Sequence, residues 1–477
     1  MFSFLFPSVK IWALFSVFIL PVLVFSQAKD AYDLERISES TKNKYEIESI
    51  VISGNKKTQN KIIFRELNFR AGDVITENEL RAMEMRSQQN LINTSLFIFV
   101  TIGHDIIDNK ISVHIDVKER WYVWPTPIFE IQDRNFNTWW KTKDMFRANY
   151  GMYLTFENMF GLNQSLSIKF RKGYTENYGV SYKIPFLNKK QTIGMSVGYL
   201  FSRNNEIAYN TYGNQLQFFR SYTKFMRSEQ EAKLGFSYRD GLYTKHNFEL
   251  AYHSSEVADT IAKLNPNYYA GDQSKIQYFS VVYNIKHDLR DNRIYPLKGY
   301  IAYLSVAKDG LALLKNENVD NFSIHTGLSR YWNFAPRFYW ANHVRVRYSS
   351  VRTPYYYFNR ALGWGNDLVR GYEYYVVDGQ SYAMFKSNIR YQLVKPRVYH
   401  AKWLKGKLDK FNKVPYALYV SGYADAAYVE DKKHFKDNPL SNSFLLGGGI
   451  GLDFVTYYDY VLRVEFSVNQ LQQKGLF

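Results

Sequence analysis

Ser165-Leu166-Ser167-Ile168-Lys169-Phe170-Arg171 alternates apolar and polar side chains without a break. Successive strand residues point to opposite faces, so Leu166, Ile168 and Phe170 share one face and Ser165, Ser167, Lys169 and Arg171 the other. A soluble sandwich alternates in the same way, so a single stretch cannot settle the fold. Recurrence does. Similar runs start near Pro127, Tyr150, Glu176, Gln191, Tyr212, Glu231, His246, Ile276, Leu297, Phe322, Phe338, Tyr382, Val414, Phe444 and Tyr460. Their polar faces repeatedly carry Lys, Arg, Asp and Gln, as a wet interior requires. About sixteen strands fit the 358 residues from 120 to 477, at roughly 9–11 residues per tilted span plus turns. Backbone groups in lipid must be paired, which forces such a sheet to close. The predicted fold is mainly β, a transmembrane antiparallel barrel of about sixteen strands over residues 120–477.

Composition points the same way. Charged residues make up 22% and mean hydropathy is −0.37, yet aromatics reach 18%, with 41 Tyr and 35 Phe. A barrel with lipid on one face and water on the other, girdled by aromatics, reconciles these values. The net charge of +17 raises nucleic acid as a partner. Basic residues are instead spread along a chain that opens with a secretion signal, so lipid head groups and a wet lumen are the expected counterparts. In that signal Lys10 precedes an apolar stretch from Ile11 to Phe25, and Val24 and Ser26 fit a cleavage site before Gln27. The stretch is too short for a membrane anchor of ~20 residues. Cysteine is absent, which excludes disulfides and an acylated cysteine.

After a polar linker (27–44), residues 45–119 form a compact block. Tyr45 to Ser53 reads as a strand ended by Gly54-Asn55. Lys61 to Leu67 reads as a short helix, and Gly72-Asp73 as a break. Thr76 offers an N-cap with Glu77 and Glu79 in the first turn, opening a helix to about Leu91 whose Leu80, Met83 and Leu91 share a side. Phe97 to Ile102 and Lys110 to Lys118 alternate as strands around Asp108-Asn109. The order is β-α-α-β-β. Ile50-x-Ile52-x-Gly54-Asn55, Thr58, Gly72-Asp73, Phe97 and Val117-x-Glu119 make the block resemble a POTRA domain, the polypeptide-transport-associated module. That resemblance implies a sheet edge able to pair with an extended client; a spacer packed under the barrel is the alternative.

Between two alternating stretches lies Val369-Arg370-Gly371-Tyr372, in an aromatic, Gly-rich loop. Elsewhere come Asp288-x-x-Asp291-x-x-x-Tyr295-Pro296-x-x-Gly299 and Gly422-Tyr423-Ala424-Asp425-Ala426, the latter expected on the antepenultimate strand. Pro125-x-Pro127-Ile128-Phe129 and Asp133-Arg134-Asn135-Phe136 stand at the start of the barrel, and the chain ends on Phe477, a terminal aromatic of the kind that serves as an assembly signal. Together these segments resemble the BamA/TamA superfamily of outer-membrane insertases and translocators. The resemblance implies that the loop folds into the lumen and that Arg370 pairs with acidic wall residues. Parity nominates them independently: Ile450, Leu452 and Phe454 face lipid, so Gly449, Gly451 and Asp453 face inward, as do Asp425 and Glu465. A desolvated guanidinium is best held by a bidentate carboxylate, with Asp425 the first choice and Asp453 the second. Gly447 to Gly449 would leave room for the loop. The chain departs from many relatives at Asn388, where they carry an acid, which leaves Lys386 and Arg390 as competitors for the same carboxylates.

Two functions compete. The first is assembly of barrel proteins or export of polypeptide, with unfolded outer-membrane or secreted polypeptides as clients, and periplasmic chaperones, lipoprotein subunits and outer-membrane lipid as partners. The second is a passive pore or surface receptor whose Lys169, Arg171 and Arg463 would favour anions; a POTRA domain is surplus to it. No Gly-x-Ser-x-Gly elbow, His-Glu-x-x-His motif or phosphate-binding loop occurs, so no enzyme, metal or cofactor is expected.

Overall fold

A computed structural model describes residues 44–131, 143–269, 271, 273–315, 317–350, 355–365, 367–401, 413–432, 436–456 and 460–476. The expected leader, nearly all of the linker, Asp133-Arg134-Asn135-Phe136 and Phe477 lie outside these residues.

The amino-terminal domain runs β1 (Lys44–Ser53), α1 (Asn60–Phe64), β2 (Val74–Thr76), α2 (Glu77–Asn93), β3 (Phe97–Ile107) and β4 (Lys110–Glu119). Its sheet has the order β2-β1-β4-β3, with β1 and β4 parallel. The expected β-α-α-β-β order therefore gains a strand: Val74–Thr76 pairs antiparallel with β1, and three residues are too few to show an alternation. Helix α2 starts where its capping signal stands. Thr76 accepts from the Glu79 N–H at 3.4 Å, and the Thr76 N–H donates to Glu79 Oε2 at 2.8 Å. Asp108 and Asn109, both with positive φ, form the two-residue turn between β3 and β4. Ile47, Ile63, Leu80, Leu91 and Ile111 are fully buried in one apolar core, with Met83 packed against it.

Sixteen strands make a second sheet, antiparallel throughout. Its first five are β5 (Val123–Ile131), β6 (Ala148–Met159), β7 (Gln164–Gly173), β8 (Thr175–Ile184) and β9 (Ile193–Asn204). A separate hairpin, β10 (Glu206–Tyr212) and β11 (Gln215–Arg220), follows. The sheet resumes with β12 (Arg227–Asp240) and β13 (Thr244–Val257), then helix α3 (Asp259–Leu264) and β14 (Lys275–Asp288). Next come β15 (Gly299–Asp309), β16 (Asn321–Ala335) and β17 (Phe338–Ser349). The loop beyond them holds a small ladder of β18 (Arg360–Leu362) and β19 (Val377–Asp378). Strands β20 (Ser381–His400), β21 (Lys413–Glu430), β22 (Phe444–Val455), β23 (Val461–Asn469) and β24 (Lys474–Leu476) complete the sheet.

The expected number of strands is thus found, with one exchange in its make-up. The run near Tyr212 belongs to the hairpin, whose strands of 7 and 6 residues are too short to span. The final run from Tyr460 is split into β23 and β24. As a result Gly422-Tyr423-Ala424-Asp425-Ala426 lies on the fourth strand from the end, β21, and not on the third.

The sheet is inside out by the standard of a soluble protein. Ile168, Phe170, Phe236, Ile389, Ile450 and Leu462 are exposed, while Arg171, Asn177, Asn388, Asp425 and Asp453 are buried. Each of these residues follows the parity of its strand. An apolar outer face and a polar inner one are what a barrel standing in lipid requires.

Candidate functional site

The loop between β17 and β20 turns inward and presents Val369-Arg370-Gly371-Tyr372 to the inner faces of β21, β22 and β23. Arg370 forks onto Asp425 of β21, with Nε to Oδ2 at 2.8 Å and Nη2 to Oδ1 at 2.5 Å. The Arg370 backbone N–H adds a third bond to Oδ2 at 3.1 Å. Its remaining nitrogen, Nη1, donates to Asn388 Oδ1 at 2.7 Å and to Glu465 Oε1 at 3.1 Å. The guanidinium lies over the Tyr423 ring, 3.7 Å from its centroid. The Asp425 side chain is fully buried. Two carboxylates, an amide and an aromatic face therefore satisfy one buried cation in every direction.

Backbone geometry seats the motif. Gly371 has φ +94°, a conformation that side-chain-bearing residues rarely adopt. Its carbonyl accepts from Asn469 Nδ2 at 2.6 Å, and its N–H donates to Glu373 Oε1 at 2.9 Å. A Cβ at Gly447 would collide with the Arg370 carbonyl oxygen, so this glycine on β22 gives the loop its room. Val369 and Tyr372 insert into a buried cluster with Leu362, Tyr382, Met384, Ala427 and Leu445.

Asp453 faces inward but takes no part in holding Arg370. It pairs with Arg463, its cross-strand neighbour on β23, at 2.7 and 3.2 Å, and accepts from the Tyr295 hydroxyl at 2.7 Å. Glu465 supplies the second carboxylate instead. Of the expected competitors, Lys386 approaches Asp425 at 3.9 Å, whereas Arg390 turns to the Pro296 carbonyl and the Tyr295 ring. The Asp453–Arg463 pair could have been found by extending the parity argument across the β22–β23 register. Asn388 as an acceptor had no such signal.

The Asp288 to Gly299 segment closes the turn between β14 and β15. Asp288 holds Arg290 through two bonds of 2.8 Å, and Asp291 Oδ1 accepts from the Leu297 N–H at 3.1 Å. Gly299 has φ +91°, and Pro296 presents its carbonyl to Arg390. This turn also reaches the amino-terminal domain, where Arg293 Nη1 donates to the Asn93 carbonyl at 2.9 Å. Other turns do the same. Arg239 forks onto Glu66 at 2.6 and 2.7 Å, and the Gln59 N–H donates to the Gly161 carbonyl at 3.0 Å. Thr58 Oγ1 donates to Glu119 Oε1 at 2.7 Å and accepts from Asn158 Nδ2 at 2.9 Å. Burial of the neighbouring Tyr122 pushes its phenol up to about 12. The domain is thus docked against the turns of one end of the sheet.

Comparisons with known proteins agree with this architecture. A family model described as the Omp85 superfamily domain matches residues 158–456, and a POTRA model described as a surface antigen variable number repeat matches 45–120. Among solved structures, BamA from Haemophilus ducreyi lacking POTRA domains 1–3 is similar, with a TM-score of 0.50 and 13% identity over 91% of this chain and 83% of that one. CdiB from Escherichia coli has a TM-score of 0.49 and 12% identity, over 98% of this chain and 96% of that one. Among curated proteins no relative matches. With one POTRA domain ahead of a family match spanning most of its sixteen-strand sheet, the chain belongs to the Omp85 superfamily.

Proposed function

We propose that the protein stands in the outer membrane with its POTRA domain in the periplasm, and assists insertion of barrel proteins or export of polypeptide. The observation that carries this reading is that the sheet runs from β5 to β24 and, among the described residues, no ladder joins these two end strands across the seam. Among the described residues β24 pairs with β23 through Phe466↔Leu476, Ser467↔Gly475 and Val468↔Lys474. At the other end, β5 carries Pro125 and Pro127, which pair in register with Leu154 and Met152 of β6. Proline has no N–H, so within a sheet it belongs on an edge strand with its donor-less side turned outward. Pro125 and Pro127 share that parity and leave the seam side of β5 short of donors. A client strand would compete there against little, through main-chain hydrogen bonds.

Unfolded outer-membrane or secreted polypeptides are the clients this reading requires, with periplasmic chaperones or lipoprotein subunits delivering them to the docked domain. The Arg370–Asp425 fork acts as the positioning element, holding the loop against β21 to β23 so that the last strands keep their curvature beside the seam. Depletion of the protein in its own cells tests the proposal. The levels of other outer-membrane barrels, or the amount of exported polypeptide, should fall; unchanged levels of both would sink it.

A further inference from the structure

A groove of about 780 Å³ lies where α1 meets the β8–β9 and β12–β13 turns, outside the lumen site and not used by the seam. Lys61, Arg65, Arg70, Lys189, Lys190 and Arg239 line it, and among the described residues Asp73 is the one carboxylate in its lining. Arg239 and Arg65 share Glu66 beneath the groove, at 2.6 and 3.6 Å. Asp73 accepts from the Arg70 backbone N–H at 2.7 Å. Among the described residues no carboxylate lies within ion-pair distance of Lys61, Lys189, Lys190 or the Arg70 guanidinium, and the groove's own pairs are Arg65–Glu66 and Arg239–Glu66. Like charges gathered without counterions repel one another, and a bound anion relieves that repulsion. The strain is already felt at Arg65, whose pKa burial and the adjacent Arg239 lower to about 10.

We propose that this groove seats the phosphate head group of an anionic phospholipid from the leaflet facing the POTRA domain. The rim identifies the ligand as a lipid. Ile193 opens β9 on the same outward parity as Val197 and Tyr199, and all three are exposed. Leu187 on the adjoining turn is 51% exposed, and Phe64 on α1 is 44% exposed. A phosphate in the groove would therefore lay its acyl chains along the outer wall, while basic side chains at the membrane surface attract the head group. A free phosphate has no use for that apolar rim. An acidic polypeptide would leave that apolar rim unused.

The full-length protein in a neutral detergent is titrated calorimetrically with dioctanoyl phosphatidylglycerol, dioctanoyl phosphatidylcholine, inorganic phosphate and polyglutamate. Phosphatidylglycerol should bind at least about tenfold more tightly than the other three, a difference that shrinks as salt is raised. The Arg70→Gln/Lys189→Gln/Lys190→Gln variant should lose about tenfold in that affinity while keeping its heat-modifiability. Should that variant misfold, Lys189→Glu on the exposed turn gives the same reading. Unchanged affinity in either variant overturns the proposal, as does equal binding of phosphatidylcholine. Tighter binding of polyglutamate would make the groove a peptide site, and equal binding of phosphate a free-ion site; both also overturn it. The proposal depends on the sheet standing in a membrane, and its failure would leave the seam and the insertion reading untouched.

Discussion

In the POTRA domain Ile47, Ile63, Leu80 and Leu91 are sealed from solvent, whereas in the barrel Ile450 and Leu462 lie exposed and Arg370 and Asp425 are sealed in their place. Both regions are built from alternating strands in one chain. The difference lies in the solvent each outer face meets, water for the domain and lipid for the sheet. The domain is therefore held by apolar area removed from water, and the interior of the barrel by directional charge-assisted bonds. Area is forgiving of small changes in shape. A fork between a buried guanidinium and a buried carboxylate is not.

The sharpest way to break this contrast is at Arg370. Arg370→Ala leaves Asp425 buried and without its fork, and removal of one partner of a buried pair costs about 3–5 kcal/mol. Loss of heat-modifiability, or an earlier urea transition in lipid vesicles, is the expected outcome. Arg370→Lys keeps the charge but loses the two-pronged geometry, and should fall between the parent and the alanine variant. Equal stability of all three would mean that the loop is held by the Val369 and Tyr372 cluster and not by charge.

Leu80→Ala is the matching test in the domain, with an expected cost of about 2–5 kcal/mol from lost burial and the cavity left behind. The damage should stay local. Limited proteolysis should cut within 45–120 while the barrel keeps its resistance and heat-modifiability; a simultaneous collapse of both regions would show that they fold as one unit.

Ile450→Arg probes the outer face directly. At 67% exposure this residue touches nothing that a charge would disrupt in water, yet an arginine on a lipid-facing strand costs about 2–4 kcal/mol near the bilayer midplane. Val51→Arg, at a half-exposed position in the domain, should stay within about 0.5 kcal/mol. Equal tolerance at the two sites in a vesicle unfolding assay would argue against lipid at Ile450.

Much of this is legible in the sequence itself. Alternation is a strict period of two, so Ser165 to Arg171 and Ile450 to Phe454 declare their faces outright. Thr76 with Glu79 declares a helix start through a two-bond box. With the resemblance placing Arg370 in the lumen, inward parity made Asp425 its first candidate partner. What escaped was set by length or by register. The hairpin at Tyr212 alternates as a spanning strand does, and only the shortness of its arms sets it apart. β2 is three residues long, below any periodic signal. Asp453 has the right parity to hold Arg370, but Arg463 sits directly across the β22–β23 ladder and takes it first.

The two regions meet at Glu66, where a modest effect is expected. Its side chain is 5% exposed and holds Arg239 through a fork, with Arg65 Nη1 also 3.6 Å away. The three residues are therefore not equivalent. Removing the carboxylate as Glu66→Gln leaves two guanidinium groups facing each other with no counterion, which should loosen the domain from the barrel turns. Removing one cation as Arg239→Gln leaves Arg65 able to take its place, so the net cost should be only about 1 kcal/mol. Protease cutting at the Trp121 junction reads the loosening, with Glu66→Gln cut faster than Arg239→Gln and both faster than the parent. The reverse order would mean that the charge at Glu66 is incidental and that Arg239 matters by bracing its own β12–β13 turn, through its bond to the Leu242 carbonyl at 2.9 Å. The expected order places at this boundary a rule from the barrel interior: where charge holds two parts together, the group with two partners matters more than either partner.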